Sequence, residues 1–260
     1  MRHSFLIIPV GWDVVEYMKH TLVDALNQKT CPVCHIVKQR EEKAFWWFFT
    51  ENYHDSEVLE DLIDTSFFCD YHANTLENND HGPLSFIFQI MVQSDTQKLK
   101  NLKGLLEKTM VNGQQGFLGG MFNPKSRTRS GKTIDGVFRG YTSCRFCRMN
   151  ENTSRYIEEI LEELIRKDTA FRELYRKSYG LCRRHLIDIL KLSNDGACSE
   201  FLVDDMLSRL KVMHDNFELY FHKLDYRYSH EPKGEEQNTW LDALNFYSSS
   251  KRSSGKPSAT

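Results

Sequence analysis

Six of the chain's seven cysteines and two of its ten histidines fall at spacings suited to holding metal ions. Cys31, Cys34, Cys69 and His72 recur as Cys144, Cys147, Cys182 and His185, each 113 positions later (144 less 31). The pattern C-x2-C-x34-C-x2-H thus occurs twice with no insertion or deletion. The run Cys31-Pro32-Val33-Cys34-His35 also fits a covalent haem attachment site or a dithiol redox motif. The later copy argues against both. Arg148 stands where His35 does, and neither chemistry needs the recurring Cys69/His72 and Cys182/His185. Three thiolates and one imidazole form a Cys3His set suited to tetrahedral Zn²⁺, so two zinc ions are expected. Iron–sulfur clusters in the same ligands are the alternative, and a metal-free thiol switch is a third reading.

These residues need elements that bring them together. In the later copy Ile157, Ile160, Leu161, Leu164 and Ile165 follow the i, i+3, i+4, i+7, i+8 spacing of one apolar helix face. Asp168-Thr169 then reads as an N-cap, and Phe171, Leu174 and Tyr175 start a second stripe. The earlier copy has Asp55-Ser56 at the matching place, followed by Val58, Leu59, Leu62 and Ile63. Each 34-residue gap therefore predicts a helix, a tight turn and a shorter helix running back. Such a hairpin is expected to return each C-x2-H to the C-x2-C of its own copy. Flanking helices are expected over 14–27, 84–110 and 201–221. No run of alternating β-branched residues is present. The expected class is all-α, two tandem helical repeats each clipped by a Cys3His metal site.

The expected organisation is a first repeat over 1–111, a Gly/basic linker over 112–132, a second repeat over 133–228 and a flexible tail over 229–260. The linker ends Ser130-Gly131-Lys132-Thr133, but a P-loop needs glycine at the position held by Ser126, so nucleotide binding is rejected. Lys125, Arg127, Arg129 and Lys132 read as a solvated basic loop. In the tail, Trp240, Leu241, Leu244 and Tyr247 could form a short amphipathic turn. Composition is that of a soluble globular chain, 40% hydrophobic and 27% charged with net charge −2, which gives no global pull toward nucleic acid or anionic lipid. The early apolar run Phe5–Val10 is too short to span a bilayer and has no cleavage site after it, so no membrane association and a cytoplasmic location are expected.

Paired C-P-x-C modules, each followed across a helical hairpin by G-[FL]-C-x-x-H, resemble an uncharacterised prokaryotic family of duplicated, cysteine-rich helical proteins. The resemblance covers roughly residues 20–225. It rests on Cys31, Pro32, Cys34, Cys69, His72, Cys144, Cys147, Gly180, Leu181, Cys182 and His185. Phe67 replaces the glycine in the first module, and Arg145 replaces the proline in the second. The resemblance implies the helical fold and the metal sites, and no activity.

The copies differ on one helix face. Glu158, Glu159, Glu162 and Arg166 in the later copy correspond to Phe45, Trp46, Phe49 and Tyr53 in the earlier one. An aromatic stripe that large must be covered, by the other repeat, by the long helix after site one, or by a partner. Phe45, Trp46, Phe49 and Tyr53 are therefore the candidate interface. Arg145, Arg148, Arg183 and Arg184 lie beside the later ligands and are expected to offset the negative charge of a thiolate-bound metal; an anion or nucleic-acid patch is the other reading. Four ligands close each site against catalysis, and no catalytic constellation stands out. The sequence favours a metal-binding scaffold, adaptor or regulator acting on a protein partner or on itself. An iron–sulfur redox protein and a nucleic-acid-binding regulator are the alternatives.

Overall fold

The structure is a computed structural model and describes residues 14–65, 68–77, 81–113, 134, 144–228 and 230–248. All regular elements among the described residues are helical. In chain order they are α1 (Val14–Leu26), α2 (Pro32–Thr50), α3 (Ser56–Thr65), α4 (Asp70–Glu77), α5 (His81–Gly113), α6 (Arg145–Lys167), α7 (Thr169–Lys177), α8 (Arg183–Leu192), α9 (Gly196–Leu224), a 3-10 turn (Glu235–Asn238) and α10 (Thr239–Tyr247). No helix is long and apolar enough to cross a membrane, among the residues described.

The helix starts follow local chemistry. The Asp55 carboxylate accepts hydrogen bonds from the N–H groups of Glu57 and Val58, opening α3. Asp168, its counterpart 113 residues later, accepts from the N–H of Phe171 and opens α7. Such caps satisfy donors that a helix's first turn otherwise leaves bare. The starts of α2, α3 and α4 (Pro32, Ser56, Asp70), moved by 113 positions, are those of α6, α7 and α8 (Arg145, Thr169, Arg183).

The chain divides into two compact units, Met1–Arg40 with Asn150–Thr260, and Glu41–Met149. These boundaries fall inside α2 and α6, so each unit takes segments from both copies of the sequence pattern. The first unit has a core of Met18, Leu22, Val33, Ile157, Leu161, Ile165, Phe171, Tyr175, Ile189 and Leu202. Every residue of the expected α6 stripe is buried there, each fully buried aliphatic contributing about 1.5–3 kcal/mol. Leu174, expected in the α7 stripe, is exposed instead. The second unit has a smaller, aromatic core around Phe45, Phe48, Phe49, Leu62, Ile87 and Phe146.

Two expectations about surfaces change. Phe45 and Phe49 are 7% and 8% exposed, so they are core residues and not an interface. Phe45 stacks on Phe146, ring centroids 4.2 Å apart, and Tyr53 packs edge-on against Phe86 of α5. Internal packing thus accounts for three of the four stripe residues, and only Trp46, 62% exposed, faces outward. In the tail, α10 occupies part of the stretch expected to be flexible. It docks through Phe246, 7% exposed, while Trp240, Leu241, Leu244 and Tyr247 lie on its outer side. The short amphipathic turn read from the sequence is a helix here, and its buried ring, Phe246, lies outside the apolar stripe. Residues 249–260, and the basic loop with its rejected P-loop, lie outside the described residues.

Candidate metal centres

The C-x2-C and C-x2-H motifs all sit at helix starts. Cys31 and Cys144 precede α2 and α6, and their carbonyls accept from the N–H of His35 and Arg148. Cys69 and Cys182 precede α4 and α8, and their carbonyls accept from Ala73 and Leu186. An i, i+3 spacing then places both donors of each motif on one side of the first helical turn. Each centre is therefore formed where two helix N-termini converge, whose partial positive charge favours thiolates.

The helices that converge are not the ones the hairpin reading expects. Cys31, Cys34, Cys182 and His185 form one group, and Cys69, His72, Cys144 and Cys147 form the other. In each group the four donor atoms all lie within 4.8 Å of one another. The eight residues are those read from the sequence, but the pairing is exchanged: each C-x2-C meets the C-x2-H of the other copy.

In the first centre, His185 Nδ1 lies 3.4 Å from Cys31 Sγ, 3.4 Å from Cys34 Sγ and 3.2 Å from Cys182 Sγ. Cys34 and Cys182 sulfurs are 3.8 Å apart. In the second, His72 Nδ1 lies 3.1, 3.3 and 3.4 Å from the sulfurs of Cys69, Cys144 and Cys147. Cys69 and Cys147 sulfurs are 3.5 Å apart. Cys31, Cys182 and His185 are buried in the first centre, as are His72 and Cys144 in the second.

The outward nitrogens of the two histidines are also engaged, by residues the motif search did not single out. His72 Nε2 lies 2.8 Å from Glu41 Oε1, and the Tyr71 hydroxyl donates to Glu41 Oε2 at 3.2 Å. His185 Nε2 lies 3.1 Å from Ser154 Oγ, whose hydroxyl donates to Glu158 Oε1 at 2.9 Å. A sequence signal existed: Glu41 and Ser154 occupy the same position in the two copies, on the helix face that carries the C-x2-C.

Charge within the centres follows from these contacts. Burial opposes a charged His72 ring, yet hydrogen bonds to Cys144 and Glu41 carry its pKa up to about 10. Burial likewise opposes the Cys144 thiolate, but His72 and the backbone N–H groups beside it bring it down to about 6. Cys147 is pushed up to about 12 by burial and by Cys69. In the other centre His185 is raised to about 10: burial opposes its charge, but Cys182 and Cys31 outweigh it. Cys182 is held far below the usual thiol range by Cys31 and Cys34, while Cys34 is raised by Cys182 and Cys31. Among the side chains alone, each cluster thus holds a thiolate–imidazolium pair and shares further protons. A cation entering it displaces those protons and meets negative sulfur.

The four arginines divide between the centres. Arg145 and Arg148, beside the second centre, both pair with Asp61, the latter at 2.5 Å. Arg184, beside the first, faces Asp188 at 3.6 Å, and Arg183 is exposed. Gly180 is placed by backbone geometry: its φ of +84° disfavours any side chain, and an added Cβ would lie 2.6 Å from Arg209 Nε. Arg209 itself donates to the carbonyls of Tyr175, Arg176 and Ser178, closing the end of α7. The glycine lets the chain turn there into Leu181, Cys182 and His185. Cys198 is buried beside Glu162 and lies outside both groups. A third group, His214, Asp215 and Glu218, is an exposed patch on α9.

No curated protein and no solved structure matches this chain. The model of DUF6062, a family of unknown function, matches residues 14–254, and the chain belongs to that family.

Proposed function

We propose that each Cys3His group holds one zinc ion, and that the chain is a metal-ordered helical scaffold or adaptor working through protein contacts. The observation that carries the zinc reading is the set of donor separations. A tetrahedral ion with bonds of about 2.3 Å to sulfur and about 2.0 Å to nitrogen has S···S edges of about 3.8 Å and S···N edges of about 3.5 Å. One sulfur pair in each centre is 3.8 or 3.5 Å apart, the sulfur–nitrogen pairs span 3.1 to 3.4 Å, and all donors lie within 4.8 Å of one another. Four donors drawn this close suit one ion better than an iron–sulfur core, which spreads its ligands around several atoms. Four protein ligands leave no open position, which favours an ordering role over catalysis.

The adaptor reading rests on surface that the helices leave open. Leu99 on α5 and Val212 on α9 occupy the same position of the two copies and both are exposed, as are Phe88, Val92, Leu207 and Phe221 on the same long helices. Asp61 pairs with both Arg145 and Arg148 and offsets one of their two charges, which weakens the motive for a nucleic-acid role. The deciding experiment is metal analysis of protein purified without oxygen. Two zinc ions per colourless chain support the proposal. A brown protein carrying iron and acid-labile sulfide would replace it with the redox reading.

A further inference from the structure

The two centres hold their histidines by different means, and the difference has a pattern. Positions 41 and 154 correspond in the two copies, as do 45 and 158 (each 113 apart). The earlier copy has Glu41 and Phe45 there, and the later has Ser154 and Glu158. The carboxylate has moved one helical turn along the same face, since residues four apart on a helix are neighbours. A serine fills the place it left. Both carboxylates are buried, Glu158 to 5% exposure, and among the described residues the basic group paired with Glu158 is His185, at 3.8 Å. Burying a carboxylate is costly, and each of these faces the outer nitrogen of a histidine or the hydroxyl that contacts it.

We propose that Glu41, and Ser154 acting with Glu158, are positioning residues that fix the rings of His72 and His185 with Nδ1 turned to the three sulfurs. One carboxylate does this directly, and the other through a hydroxyl. The inference rests on reading the clusters as metal centres. In the first arrangement the Nε2–H of His72 donates to Glu41 at 2.8 Å. In the second, the Nε2–H of His185 donates to Ser154 Oγ, and that hydroxyl passes its own proton's hydrogen bond to Glu158. Either way the proton stays on Nε2, the lone pair at Nδ1 is free for an ion, and a negative charge behind the ring makes it a better donor. The move from Glu/Phe to Ser/Glu keeps that charge behind each ring while freeing position 45 to pack as Phe45 against Phe146.

The test is a zinc titration of the full chain against a competing coloured chelator, with cobalt spectra of the same variants. Glu41→Gln should weaken one of the two ions about 10-fold and leave the other unchanged, and Glu158→Gln should do the same to the other ion. Ser154→Ala cuts the relay and should cost about 10–100-fold at that same ion. Ser154→Glu placed in the Glu158→Gln chain rebuilds the direct contact and should restore affinity and the cobalt spectrum. Helical circular dichroism of the loaded variants checks folding. If the wild type takes up two ions and all these variants bind like it, or if Ser154→Glu restores nothing, the positioning role is overturned and the metal reading survives. If the wild type takes up no ion, both fall together.

Discussion

Gly180 marks how narrowly single positions constrain the centres. With φ at +84° and Arg209 filling the space a Cβ would take, Gly180→Ala should cost about 1–3 kcal/mol, read as a lowered denaturation midpoint. Wild-type stability in that variant would contradict both the positive-φ strain and the Arg209 contact. Protonation gives a second prediction at this scale. With His72 and His185 raised to about 10 and Cys147 to about 12, these groups carry protons at pH 7 that an ion must expel. Zinc loading in weak buffer should therefore release protons. Apparent affinity should climb as pH rises toward 10 and fall as pH drops, more steeply below about 6, where Cys144 also takes up a proton. Affinity independent of pH between 6 and 8 would contradict the proton-sharing clusters. Residue types were the most legible part of the sequence, because thiols and imidazoles at fixed spacing have few other uses. Glu41, Ser154 and Glu158 were only faintly legible, through the shared position of the first two in the copies. Acids and serines are common on helices, and only burial behind a histidine distinguishes these.

Among the elements, α10 shows where periodicity misleads. Trp240, Leu241, Leu244 and Tyr247 form the more hydrophobic-looking stripe, yet Phe246 is the side chain inserted among the core residues of the first unit. In a short terminal helix a single anchoring ring outweighs the average of a face. Phe246→Ala should cost about 3–5 kcal/mol, as other buried aromatics do. Trp240→Ala, at a side chain 56% exposed, should stay within about 0.5 kcal/mol. Equal losses from the two variants would reverse the assignment of faces. The aromatic stripe of α2 carries a related lesson. Its need for cover was legible, but its cover, Phe146 over Phe45 and Phe86 over Tyr53, stands 101 and 33 positions along the chain, beyond the reach of any local pattern. The α6 stripe and the Asp55 and Asp168 caps were legible because each is settled within a few residues.

The whole molecule turns on how two copies of one motif share their ligands. The repeat distance is the same for both copies, so spacing alone fits the closed and the exchanged pairing equally well. The grouping of the donor atoms breaks that tie, and the exchanged pairing accords with compact units that cut through α2 and α6. Metal bound at the proposed centres would tie the N-terminal segment to the later copy, and the start of the later copy to the earlier one. Zinc binding is worth about 10–16 kcal/mol in small finger peptides, enough to order such segments, so chelation should lower helix content and the melting temperature together.

The exchanged pairing is tested most directly by metal stoichiometry in paired variants, measured by native mass spectrometry of the loaded, folded chain. Cys31→Ser with Cys182→Ser disables one centre and should leave one ion tightly bound. Cys31→Ser with Cys69→Ser disables both and should leave none. One ion retained in the second variant and none in the first would contradict the account.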